Sequence, residues 1–271
     1  MPRKFLNLNL NAKLVWFFCT ILFFLATLGP VITINNAYDS VGDPFVGPSF
    51  KYIFGTDDAG RDLLPRIFLG LRYSLIGAFV VVASGILIGG VVAVMASMGP
   101  KWLDSFLMRI TDLFLALPAP LLAIALVSAI GASYKNTLLA IAIVWWPFYA
   151  RVLRGKAIAI KSLPFVEAAK ISGISSWRVA TRHIAPGLKG TIIVLASLDI
   201  GGLVLTLAGL SFLGLGAPAP TPELGSMSAQ GLPYLLTGWW IPVVPSLSIF
   251  AVALIANLIG DYFAEAYGVE S

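Results

Sequence analysis

The side chains in this sequence that could do chemistry are few, and their spacing points to recognition rather than catalysis. His183 is the single histidine and Cys19 the single cysteine, far apart in the chain. That excludes a disulfide framework and argues against a metal centre built from His and Cys. No Ser/His/Asp arrangement is legible. No Gly-x-x-x-x-Gly-Lys-Ser/Thr phosphate loop occurs either, so ATP has no such seat here. What stands out is a polar, basic stretch, Glu167-Ala168-Ala169-Lys170-Ile171-Ser172-Gly173-Ile174, followed by His183-Ile184-Ala185-Pro186. Glu167 and Arg178 offer charges that a second protein surface could pair, and Ala168 and Ala169 would let that surface come close. An ordinary solvated loop has the same spacing, and both readings stand at this point. One further acid, Asp199, lies inside an apolar run beside Gly201-Gly202.

The elements that must position these residues belong to a membrane. Of 271 residues, 58% are hydrophobic and 11% charged, against roughly a quarter charged in soluble domains. Mean hydropathy is +0.91. A helix needs about 20 apolar residues to cross a bilayer, and six stretches qualify: 14–34, 74–98, 106–130, 137–152, 191–213 and 241–262. The first follows Arg3, Lys4 and Lys13 as a signal peptide would. Its apolar core is too long and no small-residue cleavage pattern follows, so it reads as an uncleaved anchor. The net charge of +5 is not clustered on a soluble domain. It follows the positive-inside rule instead of marking a nucleic-acid partner.

Counting Lys and Arg with the N-terminus inside puts thirteen on cytoplasmic segments and five opposite, so both termini are expected inside. Arg61, Arg66 and Arg72 run against the bias, partly balanced by Asp57, Asp58 and Asp62. The organisation expected is a cytoplasmic N-terminus (1–13), an anchor (14–34) and an extracytoplasmic segment with an amphipathic helix (35–73). A core of five spans (74–262) follows, then a cytoplasmic tail (263–271). The core carries a cytoplasmic loop at 153–190 and an extracytoplasmic loop at 214–240. In the cytoplasmic loop Ser162 can cap a helix with Pro164 in its first turn, and Gly173 can supply the left-handed stop. Ser175 or Ser176 can cap a second helix through His183, ended by Pro186.

With those residues in view, the stretch from Glu167 resembles the EAA loop of ABC-importer permeases. The family pattern is Glu-Ala-Ala, a glycine four residues later, then Ile-x-Pro. Glu167, Ala168, Ala169, Gly173, Ile184 and Pro186 match it, and Ala185 stands where the family more often has Leu. The resemblance implies an all-α integral membrane protein with six transmembrane helices in the type I ABC-importer permease fold. It implies that Glu167 through Gly173 seat on an ATPase subunit, with Ile174 and Trp177 as packing contacts and Arg178 as a charge partner.

Other segments resemble the second permease subunit of dipeptide, oligopeptide and nickel importers. In Phe54-Gly55-Thr56-Asp57-Asp58-Ala59-Gly60-Arg61-Asp62, Thr56 can cap a helix whose apolar stripe is Leu63, Leu64, Ile67, Phe68 and Leu71. Bare of any ligand, this reads as an interfacial helix. Asp104, Met108-Arg109, Asp112, Pro118 and Leu121-Leu122-Ala123 match as well. Pro118 and Pro120 should break or kink the third span. Arg109 and Asp112, three apart, read as a structural pair. After the fifth span, 208–216 with Pro218, Pro220 and Pro222 resembles the family's outer loop, expected to be extended and stiff and able to meet a binding protein. Leu224 stands where the family commonly has Trp. Asn257 to Asp261 match the end of the sixth span, but Tyr262-Phe263-Ala264-Glu265 replaces the usual basic tail.

The partners implied by the resemblance are a homologous permease in a heterodimer, two ATP-binding subunits, an extracytoplasmic substrate-binding protein and membrane lipid. The setting implied is a bacterial or archaeal inner or cell membrane. ATP and Mg would be bound by the partner subunits, and this chain would hold no cofactor. The cargo implied is a peptide, nickel or a metal chelate. Asp199 costs on the order of a few kcal/mol inside a span unless paired or wetted. It either faces the translocation cavity or partner permease, or makes a buried hydrogen bond to a neighbouring helix. Among competing classes, a secondary transporter or channel without an ATPase would need inverted repeats and usually several buried charges. A membrane enzyme would need convergent polar groups on the spans. Neither pattern is present.

Overall fold

The structure is a computed structural model and describes residues 10–33 and 36–267. The expectations for 1–9 and 268–271 lie outside the described residues. Those described form helices joined by turns, with two isolated β-bridges, Ser40 to Arg61 and Thr56 to Asp62.

Helix α1 (Leu10–Thr27) continues after a break at Leu28 into the short α2 (Gly29–Ile32), where Pro30 opens the new turn. The expected anchor over 14–34 is therefore an interrupted helix. Its Phe17, Phe23 and Phe24 are exposed, as suits an apolar solvent, while Trp16 meets Phe263 edge-on at 6.1 Å. Helix α3 (Leu63–Met98) is one unbroken rod that contains the expected second span. Helices α4 (Lys101–Leu115) and α5 (Ala119–Ile130) follow, then α6 (Tyr134–Lys161). The turn region comprises α7 (Pro164–Ile171), α8 (Ser176–Val179) and α9 (Ala185–Gly187). Helix α10 (Lys189–Phe212), α11 (Leu224–Gly231) and α12 (Trp240–Tyr267) complete the chain.

Four of these, α3, α6, α10 and α12, are long and apolar enough to cross a membrane. The third expected span is α4 and α5, which bend by 84° at a break before Ala119. Pro118 caps α5 and Pro120 stands in its first turn, where a missing N–H costs nothing. Counted as one span, the pair brings the total to five.

The core lies where α3 crosses α6 and where α10 lies along α12. Tyr149, Ile141, Leu153, Leu203 and Leu207 are fully buried there. Close approach is built on glycine. A Cβ at Gly89 would stand 2.6 Å from the Tyr149 Cβ and 2.7 Å from the Trp146 carbonyl oxygen.

Segment 36–62 corrects the expected amphipathic helix at 35–73. It is a compact irregular cap, and Asp62, not Thr56, caps α3 by accepting the Leu64 N–H at 3.0 Å. Thr56 is buried and holds the cap together. Its hydroxyl donates to the Asp43 carbonyl at 2.7 Å and accepts from the Val46 N–H at 2.8 Å. The stripe Leu63, Ile67 and Leu71 is core, because the helix it belongs to is the span itself. The arginines that defied the charge bias are explained in part by pairing. Asp57 binds Arg61 at 2.7 Å and lies 3.4 Å from Arg66 Nε. Arg66, 2% exposed, also donates to the Ala37 carbonyl at 2.9 Å. Arg72 is exposed.

The expected outer loop at 214–240 is also corrected. It folds back as α11, whose Leu224 to Ser228 are buried against α10, α12 and α3. Glu223, 0% exposed, caps it by accepting the Ser226 N–H at 3.0 Å. Leu224, in the family's Trp position, fills the space beside Gly70, where a Cβ would meet it at 2.8 Å. Its buried polar side chains find partners inside, with Ser226 Oγ donating to the Glu223 carbonyl at 3.0 Å and Ser228 Oγ to the Pro242 carbonyl at 3.3 Å, which bare extended chain would lack.

Candidate functional site

At the end of the bundle opposite the 36–62 cap, α6 stops and the chain turns. The Ser162 N–H bonds to Ile158 O at 3.2 Å and its hydroxyl to Ala159 O at 3.0 Å, so Ser162 closes α6 rather than capping α7. Pro164 opens α7, and Leu163 O accepts the Val166 and Glu167 N–H groups at 2.9 and 3.2 Å. Val166 and Ala169 turn inward and are buried. The α7 stop is as expected: Gly173 has φ +79°, and the Ile174 N–H reaches back to Ala169 O at 3.1 Å.

The second helix of this region departs from the expectation that Pro186 ends it. From α8 the chain passes through a π-turn at Ala180–Ile184 directly into α9. The Ala185 N–H bonds to Ala180 O, five residues back. The wider turn accommodates Pro186, which lacks the N–H of an α-helical ladder. Ser175 is the N-cap residue but makes no side-chain cap bond. Val179, Ile184 and Leu188 are buried on the inner side.

The outer side is a different surface. Ile171 is 88% exposed, Trp177 75% and Phe165 54%, with Ile174 also exposed. Glu167, Ala168 and Arg178 are exposed beside them. Large apolar side chains grouped with charges on a polar turn have the composition of protein-binding surfaces in general. The site residues therefore divide. Glu167, Ala168, Ile174, Trp177 and Arg178 face outward, and Gly173 shapes the turn. Ala169 is buried in the chain's own packing. Ile171, inside the expected Glu167–Gly173 stretch, and Phe165, just before it, carry much of the outer surface. Both are large and apolar in an otherwise polar turn, and that was the available signal. The His183 and Phe165 rings lie 6.0 Å apart, tilted by 55°.

Asp199 sits on α10, half-buried, and accepts a hydrogen bond from Trp145 Nε1 of α6 at 2.7 Å. Tyr149, fully buried on the same helix as Trp145, lies beside it. Gly202, Thr206 and Gly209 follow on the same face of α10 at helical spacing. A Cβ at Gly202 or Gly209 would meet nothing within 4 Å. The acid is thus anchored to a neighbouring helix on a face that stays open. Among the described residues no group of three or more His, Cys, Asp or Glu is placed to hold a metal ion.

Comparison with known proteins places the family and the fold. The family described as "binding-protein-dependent transport system inner membrane component" matches residues 85–268. The dipeptide transport system permease protein DppC of Alkalihalophilus pseudofirmus is 39% identical over 89% of this chain and 80% of its own length. The probable D,D-dipeptide transport system permease protein DdpC of Escherichia coli is 41% identical over 79% of this chain and 72% of its own. The glutathione transport system permease protein GsiD of Pectobacterium atrosepticum is 38% identical over 84% and 75%. Among solved structures, a chain of the inward-facing MetNI methionine ABC transporter superposes with a TM-score of 0.61 at 18% identity. It covers 74% of this chain and 96% of that one, a likeness of fold. An all-helical bundle, matched in sequence over most of its length, leaves one assignment: this chain belongs to the binding-protein-dependent inner-membrane components, the permease subunits of ATP-driven importers.

Proposed function

We propose that this permease forms half of a translocation pathway for peptides. The named relatives that handle dipeptides and glutathione support that cargo class over nickel. As a permease the chain is a transport subunit, not an enzyme. In the proposed assembly it pairs with a homologous permease, two ATP-binding subunits that hold ATP and Mg, and an external binding protein. Both termini and the α7 turn lie on the cytoplasmic side, in line with the Lys and Arg count.

The observation that carries the coupling role is the outward group Phe165, Ile171, Ile174 and Trp177 around Glu167 and Arg178. Such a surface loses its exposed apolar area only when a partner covers it. Closure of the ATP-binding subunits would then move α7, and α6 with it, between two packed arrangements of the helices. Uptake of a labelled dipeptide by the reconstituted complex, with nickel(II) in parallel, tests the cargo. Dipeptide uptake that needs ATP is the expected result, and uptake of nickel alone would overturn it.

Asp199 is proposed as a pathway residue, supported by the open face it shares with Gly202, Thr206 and Gly209. Asp199→Asn keeps the acceptor for Trp145 but removes the charge. Dipeptide uptake should fall while the complex still assembles. Unchanged uptake would leave Asp199 as no more than a helix-to-helix hydrogen bond.

A further inference from the structure

Helix α4 is tied to α6 by charge. Arg154 grips Asp104 with both arms of its guanidinium, Nε to Oδ1 and Nη2 to Oδ2, each at 2.5 Å. Two turns along α4, Asp112 pairs with Arg151, one turn before Arg154 on α6. This is the partner Asp112 takes in place of the expected Arg109. Lys161, in the last turn of α6, donates to the Ser97 carbonyl of α3 at 2.6 Å. Phe114 meets Trp146 edge-on at 5.8 Å and completes the α4 contact.

These links differ in kind from the contacts of α5, which packs on α6 and buries the apolar Ala123 and Val127. Apolar packing is non-directional and tolerates sliding. A bidentate arginine–carboxylate pair fixes both distance and orientation. The Arg151–Asp112 pair is about half exposed on both sides, 51% and 56%, and exposed pairs contribute little to stability. Two pairs on facing helices still fix the register of one helix on the other. Helix α6 runs from Arg151 and Arg154 to Lys161 and is joined to α7 by two residues. Beyond Asp112, α4 reaches the 84° bend into α5.

We propose that Arg151, Arg154, Asp104 and Asp112 are positioning residues that carry movement of the α7 turn through α6 into the bent α4–α5 segment. The proposal rests on the reading of α7 as the ATPase seat. When α7 is pushed, α6 moves as a rod, and the two ion pairs make α4 follow without slipping. The bend then converts that displacement into a reorientation of α5 against the rest of the bundle.

The test uses the full complex, with Cys19→Ser and spin labels on Leu121→Cys in α5 and Phe250→Cys in α12, both outward-facing sites. The label distance is measured without nucleotide and after trapping with ATP and vanadate. The unmodified pairs should give a nucleotide-dependent shift. Asp104→Asn with Asp112→Asn, which keeps side-chain shape, should abolish the shift while the ATP-binding subunits still co-purify. Exchange of both pairs (Asp104→Arg, Arg154→Asp, Asp112→Arg, Arg151→Asp) should restore it. A full shift in the Asn variant overturns the proposal. So does the absence of a shift when the pairs are intact, or failure of the exchanged pairs to restore one once the Asn variant has lost it. Retention of the ATP-binding subunits by an Ile171→Asp, Trp177→Asp variant with intact pairs would instead count against α7 as their seat.

Discussion

Replacing Gly173 with valine should strip the ATP-binding subunits from the purified permease and leave the bundle folded. The glycine holds φ +79° at the end of α7, a region that costs an L-residue about 1–2 kcal/mol and a β-branched one more. Nothing lies within 4 Å of a Cβ placed there, so the effect comes from the backbone and not from a clash. To relieve it the turn must open, losing the Ile174 N–H bond to Ala169 O and moving Ile174 and Trp177 away from their places beside Ile171. If the strain appears in binding, recovery of the ATP-binding subunits should fall on the order of tenfold. Gly173→Asn, which tolerates the left-handed region, should lose far less. Pull-down of the complex followed by subunit quantification reads both. Equal retention by the Val and Asn variants would remove the turn from the account.

The second large effect lies in the core, one residue apart on α3. A Cβ at Gly89 would enter the α6 backbone, 2.7 Å from Trp146 O and 2.8 Å from Ala150 N, whereas at Gly90 it would lie 3.9 Å from a Leu153 methyl. Backbone cannot rotate away as a side-chain tip can. Gly89→Ala must therefore part α3 from α6, at a cost of about 1–3 kcal/mol typical of overpacking. Gly90→Ala carries only its gain in helix propensity, up to about 1 kcal/mol. Thermal unfolding of the detergent-solubilised chain should fall for Gly89→Ala and hold or rise for Gly90→Ala. A similar melting temperature for both would mean that α3 and α6 do not approach this closely.

The apolar spans were legible because length and hydropathy are local properties, and the α7 turn was legible because Pro164 and Gly173 are backbone signals. Other features depend on contacts between distant segments. Thr56 looks like a helix cap in its own neighbourhood, yet its hydroxyl is used by Asp43 and Val46 and the cap falls to Asp62. Glu223 in a proline-rich stretch looks solvent-facing, and it is buried because it caps an inserted helix and meets Ser74 at 3.4 Å. Asp112 has Arg109 within helical reach, but Arg151 comes from a helix nearly forty residues on. Ala168 and Ala169 are identical in type, and only the direction of α7 against the bundle separates the exposed one from the buried one. Pro186 has the chemistry of a helix stop, and the π-turn before it absorbs the missing donor.

ATP-driven force should enter this chain at the outer face of α7 and α8. A photo-crosslinking residue placed at Ile171 in the assembled complex tests it directly, with the same residue at Phe50 in the 36–62 cap as reference. Both positions are exposed, 88% and 109%, so accessibility does not distinguish them. Ile171 should crosslink to an ATP-binding subunit and Phe50 should not. A crosslink to that subunit from Phe50, or none from Ile171, would contradict it.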